Sequence, residues 1–288
     1  MKPTLVTGAN GHVGNNVCWS RDPERDIIEP SVEGTRHVLE AEAKAGVEKV
    51  LYTSTTSTMG FRDAPDRSLD ETHFNTNPHT HYVRGKIAAE HEAFAIARRT
   101  KLPLSSIHPG FILGPRFWKI SESVRQVADF IERGTPVYFE GGFGVVDVED
   151  VARGALLAMD RGGDCERYIV SGENVTVQGL FDLLSELTGV KAATIKLPVP
   201  VLRVLAGAME LASKVTGARP LLDRSQVDEF AGKYGYFDSA HAERELGYTY
   251  RSARDTLRRT VAWLVDKGFV PEKRHRALVL DASLQNAY

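Results

Sequence analysis

The sequence predicts an α/β protein in which a doubly wound parallel sheet is followed by a smaller mixed C-terminal lobe. Three observations carry this. An apolar strand, Thr4-Leu5-Val6-Thr7, runs straight into a glycine-rich turn, Gly8-Ala9-Asn10-Gly11-His12-Val13-Gly14. Helical and β-rich segments then alternate from Ser31 to Ile107, the pattern of parallel strands joined by crossover helices. Tyr82 and Lys86 open a run of helix formers just after a hydroxyl-rich strand exit.

The bounds agree with a globular protein of this kind. The 288 residues suffice for two domains, or for one domain with a lobe attached. A net charge of -2 with 26% charged residues supplies no basic field, so neither nucleic acid nor an anionic membrane is favoured as a partner. No apolar stretch approaches the ~18 residues of a membrane span, and the first residues reach glycine before any long apolar run, so a cytoplasmic protein is expected. Cys18 and Cys165 show no metal-ligand spacing and cannot build a disulfide framework, which suits a reducing compartment.

Taken in order, the first strand leads into glycines at positions 8, 11 and 14. Glycines there let the backbone approach a pyrophosphate, whose charge meets the free amides and positive dipole of the following helix. With 25 glycines in the chain, such a triple arises by chance about 0.2 times, so its position says more than its pattern. A second strand should come next, with a side chain some 20 residues on that reads the adenosine ribose. Instead the next helix begins by Ser31, and the interval cannot hold even one strand-helix-strand unit.

Past that gap the alternation is clean. The helix 31–45 stops at Gly46, and Val47 to Thr53 reads as a buried strand. It ends in Ser54-Thr55-Thr56-Ser57-Thr58-Met59-Gly60, hydroxyls at the carboxyl edge of a sheet, where ligands bind in open α/β folds; a plain Ser/Thr turn is the competing reading. The Tyr82 helix ends near Thr100, Leu102 to Ile107 is a strand, and 108–115 is its turn-rich exit.

Beyond Pro115 helices dominate. Val124 to Arg133 and Val148 to Met159 read as helices around a short extended piece, Pro136 to Glu140. Arg167 to Val170 is a strand, and Thr176 caps a helix with Leu180, Leu183, Leu184 and Leu187 at apolar spacing. Leu202 to Val215 suits ordinary core first, and otherwise a pocket lining or a subunit contact, so a homodimer stays open. Ala253 to Val265 is the last helix, before a weakly patterned tail. The domains expected are 1–165 for the nucleotide-binding unit, with the gap near 17–19, and 166–270, joined by 116–145, for the substrate lobe.

The chemistry centres on Tyr82 and Lys86. Four apart on a helix they share one face, and a cation beside a phenol, which otherwise titrates near 10, favours the phenolate. Such a pair can give or take a proton near neutral pH. With nine tyrosines about half a Tyr-x-x-x-Lys match is expected by chance, so the segments preceding the pair matter more than the pair.

The glycine turn, the hydroxyl at a later strand end and the Tyr82/Lys86 helix, in that order, resemble the extended short-chain dehydrogenase/reductases, most closely their dihydroflavonol-reductase-like and sugar-epimerase-like branches. The likeness extends to Val32-Glu33-Gly34-Thr35, to Val50-Leu51-Tyr52-Thr53-Ser54-Thr55, to Pro109-Gly110 with Gly114-Pro115, and to Asp147 with Asp150-Val151-Ala152. It implies a Rossmann-like fold, NAD or NADP as cofactor, and a small-molecule carbonyl or sugar substrate. It makes Tyr82 the general acid/base, Lys86 its activator and the holder of the nicotinamide ribose, and Thr55 the hydroxyl that polarises the substrate oxygen. The cofactor would lie on Gly8, Asn10, Gly11, His12, Val13, Gly14, Thr53, Tyr82, Lys86, Pro109 and Gly110.

The chain also departs from the pattern. Trp19-Ser20-Arg21-Asp22-Pro23 resembles the segment after the family's fourth strand, so roughly fifty residues between about Val17 and Trp19 are missing by the usual crossover lengths. With them go strands flanking the first one, the adenine pocket and the residue that selects NAD or NADP. Ser31 stands where many relatives have Asn. Three readings are open: a working reductase or epimerase whose numbering closes over a segment, an internally deleted and impaired relative, and a cofactor-binding protein without catalysis.

Overall fold

The computed structural model describes residues 20, 22–117, 120–216, 220 and 222–270. The strand expected at Thr4 to Thr7, the glycine turn, the gap at 17–19 and the tail lie outside them.

The first described helix starts earlier than Ser31. A π turn, Glu24–Ile28, continues into α1, Glu29–Ala45. Pro30 sits in the first turn of α1, where its missing N–H costs nothing, and the widened turn before it gives its ring room. Gly46 ends α1 at φ 65°, a left-handed cap that glycine adopts without Cβ strain.

The first sheet is parallel, with β1 (Val50–Thr53), β2 (Leu104–Pro109) and β6 (Arg167–Val170) in the order β1-β2-β6. Helix α2 (His81–Thr100) crosses from β1 to β2. Successive side chains point to opposite faces of a strand. Val50 and Tyr52 accordingly pack with Leu39, Phe94 and Leu104 under α1 and α2, while Leu51 packs with Ile107, Tyr168 and Val170 under α4 (Val148–Arg161). Helices on both faces make the sheet doubly wound, and all six residues of the middle strand are buried. Among the described residues β1 pairs only with β2.

A second sheet joins β3 (Phe111–Leu113), β5 (Gly141–Asp147) and β7 (Glu173–Thr176), with β9 (Lys233–Gly235) also on β5. Its core meets α3 (Glu122–Arg133), α5 (Val177–Thr188) and α9 (Ala253–Asp266) through Val124, Phe130, Val145, Leu184 and Trp263. The parallel pair β4 (Val137–Tyr138) and β8 (Ile195–Lys196), helix α6 (Val199–Thr216) and short helices α7 (Arg224–Phe230) and α8 (Ala240–Leu246) complete the lobe.

Three expectations change. The segment 108–115 is not simply a turn: β2 runs to Pro109 and β3 begins at Phe111, so the chain changes sheets at Gly110. A Cβ there would stand 2.5 Å from Gly144 O and from Ser171 Oγ, which explains the glycine. The boundary at 165 does not part the sheets, because β6 belongs to the first one. Helix α6 is not ordinary core: Val204, Leu211 and Val215 are 74%, 65% and 84% exposed, since its inner stripe is only Leu202, Ala206 and Ser213 and the described residues of the lobe do not cover the rest.

Candidate functional site

The site lies at the carboxyl end of the first sheet. As β1 ends, Thr53 is exposed and Ser54 is buried. Thr55 then caps a single 3-10 turn, Thr56–Thr58, its hydroxyl oxygen accepting from Ser57 N at 3.4 Å. Its carbonyl accepts from Thr58 N at 3.1 Å and from Thr58 Oγ1 at 2.9 Å. Thr56 Oγ1 donates to Pro109 O at 3.2 Å, which ties the turn to the end of β2. The Thr55 hydroxyl proton has no acceptor among the described residues, so it is available to a ligand oxygen.

Helix α2 packs against this turn. Thr80 is its N-cap, accepting from Val83 N at 3.3 Å, which puts Tyr82 in the first turn, where the free amides and the helix dipole favour negative charge. Lys86 lies one turn further along the same face and Glu90 one turn beyond that. Burial pushes the Lys86 ammonium below the ordinary lysine range, and the nearby Glu90 carboxylate opposes the shift. Tyr52 of β1 is close enough to feel both Tyr82 and Glu90. Its phenol is driven up, chiefly by burial, against a lowering hydrogen bond with Thr35.

Beneath Lys86 is a buried polar cluster. Glu90, 2% exposed, accepts from Ser54 Oγ at 2.5 Å and faces Arg167 Nε at 2.9 Å across a salt bridge. Arg167 donates to Glu71 O at 2.6 Å and His73 O at 3.1 Å, and its guanidinium carbon stands 4.2 Å from the Phe74 ring centre. His108 of β2 is fully buried. Its Nδ1 lies 3.8 Å from Glu90 Oε2, 3.4 Å from Thr58 Oγ1 and 3.3 Å from Thr55 O. Burial holds its pKa down at about 4, with Glu90 pulling the other way, so the ring is neutral at pH 7. The Thr58 proton goes to Thr55 O, so Nδ1 is best read as the donor, and Nε2, 2.9 Å from Ser106 Oγ, as the acceptor.

The loop from the Thr55 turn to α2 borders a cavity of about 360 Å³, within the range of small-molecule sites. Met59, Phe61, Arg62 and Asn75 line it from the loop, and Glu229 and Lys233 from the lobe. Glu229, 1% exposed, accepts from His79 N at 2.6 Å, Thr80 N at 2.8 Å and Asn75 Nδ2 at 3.2 Å, so the lobe grips the backbone that starts α2.

Of the residues singled out from sequence, Tyr82 and Lys86 share one face of α2, and Thr55 caps the turn that packs on that helix. Thr53 stands exposed at the end of β1, Pro109 closes β2, and Gly110 makes the joint between sheets. Gly8, Asn10, Gly11, His12, Val13 and Gly14 lie outside the described residues. Sequence reasoning missed Ser54, Glu90, His108, Arg167 and Glu229. Continuing the four-residue step from Tyr82 and Lys86 would have found Glu90; nothing local marks the others.

Residues 17–171 match a model of the NAD dependent epimerase/dehydratase family. A putative dihydroflavonol 4-reductase of Synechocystis is 30% identical over 88% of this chain and 74% of its own length. Sterol demethylase protein B of Methylococcus capsulatus is 30% identical over 87% of this chain and 76% of its own. Among solved structures, that of gox2253 superposes with a TM-score of 0.74 at 33% identity, over 88% of this chain and 76% of the other.

The described half of the site fits the nicotinamide end of NAD. The Lys86 ammonium, largely desolvated and with no hydrogen-bond acceptor among the described residues, lies on the helix that packs against the turn capped by Thr55, whose hydroxyl proton is uncommitted, and both groups suit ribose or carbonyl oxygens.

Proposed function

This chain belongs to the NAD dependent epimerase/dehydratase family, a family of NAD-linked oxidoreductases, and from that premise we propose that it is a carbonyl reductase/alcohol dehydrogenase of the dihydroflavonol-reductase type. NAD, when bound, supplies or accepts the hydride at carbon. The residues of this chain handle the oxygen. Thr55 Oγ1 donates to the substrate oxygen and orients it. In the reducing direction the Tyr82 phenol gives that oxygen its proton; in the oxidising direction the phenolate takes it back. Lys86 stabilises the phenolate by charge and holds the nicotinamide ribose through its free N–H donors. One observation supports this reading above the others: Tyr82 and Lys86 share a face of α2, and the turn capped by Thr55 packs on that helix at the ligand-binding edge of the sheet.

The test is NADH and NADPH oxidation with sugar nucleotide, flavonoid-like ketone, steroid and small aldehyde substrates, for the wild type and Tyr82→Phe. Turnover by the wild type on at least one class, lost in the variant with its fold retained, is the expected result. A variant as active as the wild type removes the assignment.

A second reading, an internally shortened relative with weakened cofactor binding, draws on a separate observation. The family match begins at residue 17, past the glycine turn, and about a quarter of the Synechocystis relative has no counterpart in this chain. Tight, stoichiometric NAD binding in a titration eliminates it.

A further inference from the structure

We propose that Glu90 is the positioning residue of this site: its buried carboxylate stands one turn below Lys86 as that ammonium's counter-charge and fastens the segment leading into the Thr55 turn to the helix carrying Tyr82. This rests on the reading of Tyr82 and Lys86 given above and goes beyond it.

The reason is first geometric. Tyr82, Lys86 and Glu90 succeed one another along a single face of α2, and the Glu90 carboxylate is the point where that face meets the sheet. One oxygen takes the Ser54 hydroxyl, adjacent in the chain to Thr55. The other faces Arg167 at 2.9 Å, from the far strand β6. His108, from the strand between, brings one ring nitrogen, Nδ1, near both Glu90 and Thr55 O. Glu90 therefore meets the residue just past β1 and one residue each of β2 and β6, so moving α2 against the Thr55 turn strains buried contacts of this carboxylate.

The second reason is electrostatic. The titratable and charged groups around Lys86 are Tyr82 and Glu90 on its own helix and His108 on β2, with Arg167 on β6 and Tyr52 on β1 reaching it through Glu90. His108 is neutral, the phenols are neutral when protonated, and Arg167 is positive. Glu90 is the one anion among them, so the charge that offsets the burial of Lys86 comes from this residue. A like charge at Arg167 would otherwise add to the desolvation that drives the ammonium toward its neutral form. A neutral Lys86 cannot stabilise a phenolate, so Glu90 acts on the reacting proton through Lys86 without touching substrate.

Glu90→Gln keeps the shape and a hydrogen bond to Ser54 but removes the charge, whereas Ser54→Ala keeps the charge and removes the bond. Each is compared with the wild type by melting temperature, by the pH profile of kcat/KM in the reducing direction, and by the titration of Lys86 followed by NMR after reductive 13C-methylation, its signal assigned with Lys86→Arg. In Glu90→Gln the Lys86 titration and the alkaline limb should both move down by about one pH unit, the size of one partly screened charge about a helical turn away. In Ser54→Ala kcat should fall with the limb unmoved. If folded Glu90→Gln titrates Lys86 as the wild type does, the proposal is overturned. The titration needs no turnover: an inactive wild type whose Lys86 still shifts in Glu90→Gln sinks the reductase reading alone, while an active wild type with an unshifted Lys86 sinks this inference alone. Should Glu90→Gln not fold, Arg167→Gln, which removes the competing cation, must instead raise the Lys86 titration; no rise overturns the proposal equally.

Discussion

Two buried carboxylate clusters in this molecule use charge in different ways. At the end of β5, Asp147 and Asp150, both fully buried, are met by arginines of the lobe. Asp147 caps α4 by accepting from Glu149 N at 2.8 Å and takes Arg259 Nε at 3.0 Å, while Asp150 accepts from the backbone of Arg251 at 2.8 Å and pairs with its guanidinium. Burial keeps the Asp147 carboxyl above its ordinary range in spite of those arginines. Every partner there is a guanidinium or a backbone amide, neither of which titrates near neutrality. The Glu90 cluster instead holds a hydroxyl, an imidazole and, one turn away, the ammonium of Lys86. The first cluster fixes the junction of lobe and sheet; the second sits under exchangeable protons.

The largest test of this contrast is Tyr82→Phe, which should lower turnover by about 10²- to 10⁴-fold, the usual worth of a general acid/base, with the melting temperature unchanged. Next is Asp150→Asn, which removes the buried charge that pairs with Arg251 and leaves that guanidinium to Glu149 and Asp147; it should cost about 1–3 kcal/mol of stability in denaturant titration, while the alkaline limb of kcat/KM stays where it was. A moved limb would erase the distinction between the clusters. His108 gives a third test. Its folded pKa of about 4 lies below the 6.5 of the free side chain, so the unfolded chain binds the extra proton. Stability from this residue is complete above pH 6.5 and falls as the pH drops toward 4, by about 3 kcal/mol in all. His108→Asn should flatten that part of the curve of melting temperature against pH. Smallest is Leu211→Ser on the exposed face of α6, which should shift stability by less than about 0.5 kcal/mol; a larger loss would show that this face is covered in solution.

The sequence disclosed the parts of this fold that depend on local periodicity. Strand β6 and helices α2, α4 and α9 are found within a few residues of where the alternation of segments put them, and each helix proves to be capped by its own preceding residue, Thr80, Asp147 and Ser252. Strand β5 escaped notice, since Gly141-Gly142-Phe143-Gly144 reads as a loop; its glycines are demanded by neighbours far away in sequence, such as Val175 O, 2.7 Å from a Cβ at Gly142. The same holds for the site. Tyr82 and Lys86 announce themselves by spacing, and Thr55 by its place after a strand. Arg167 meets Glu90 from far along the chain, and no pattern within either segment reports that meeting.

The grip of Glu229 on the backbone before α2 has an engineering consequence. A designer who replaces the C-terminal lobe also removes the carboxylate that accepts from the backbone of His79 and Thr80 and so anchors the start of the helix carrying Tyr82. Chimaeras should therefore keep a carboxylate at 229, or carry residues 75–80 along with the new lobe, if the grafted specificity is to arrive with its rate intact.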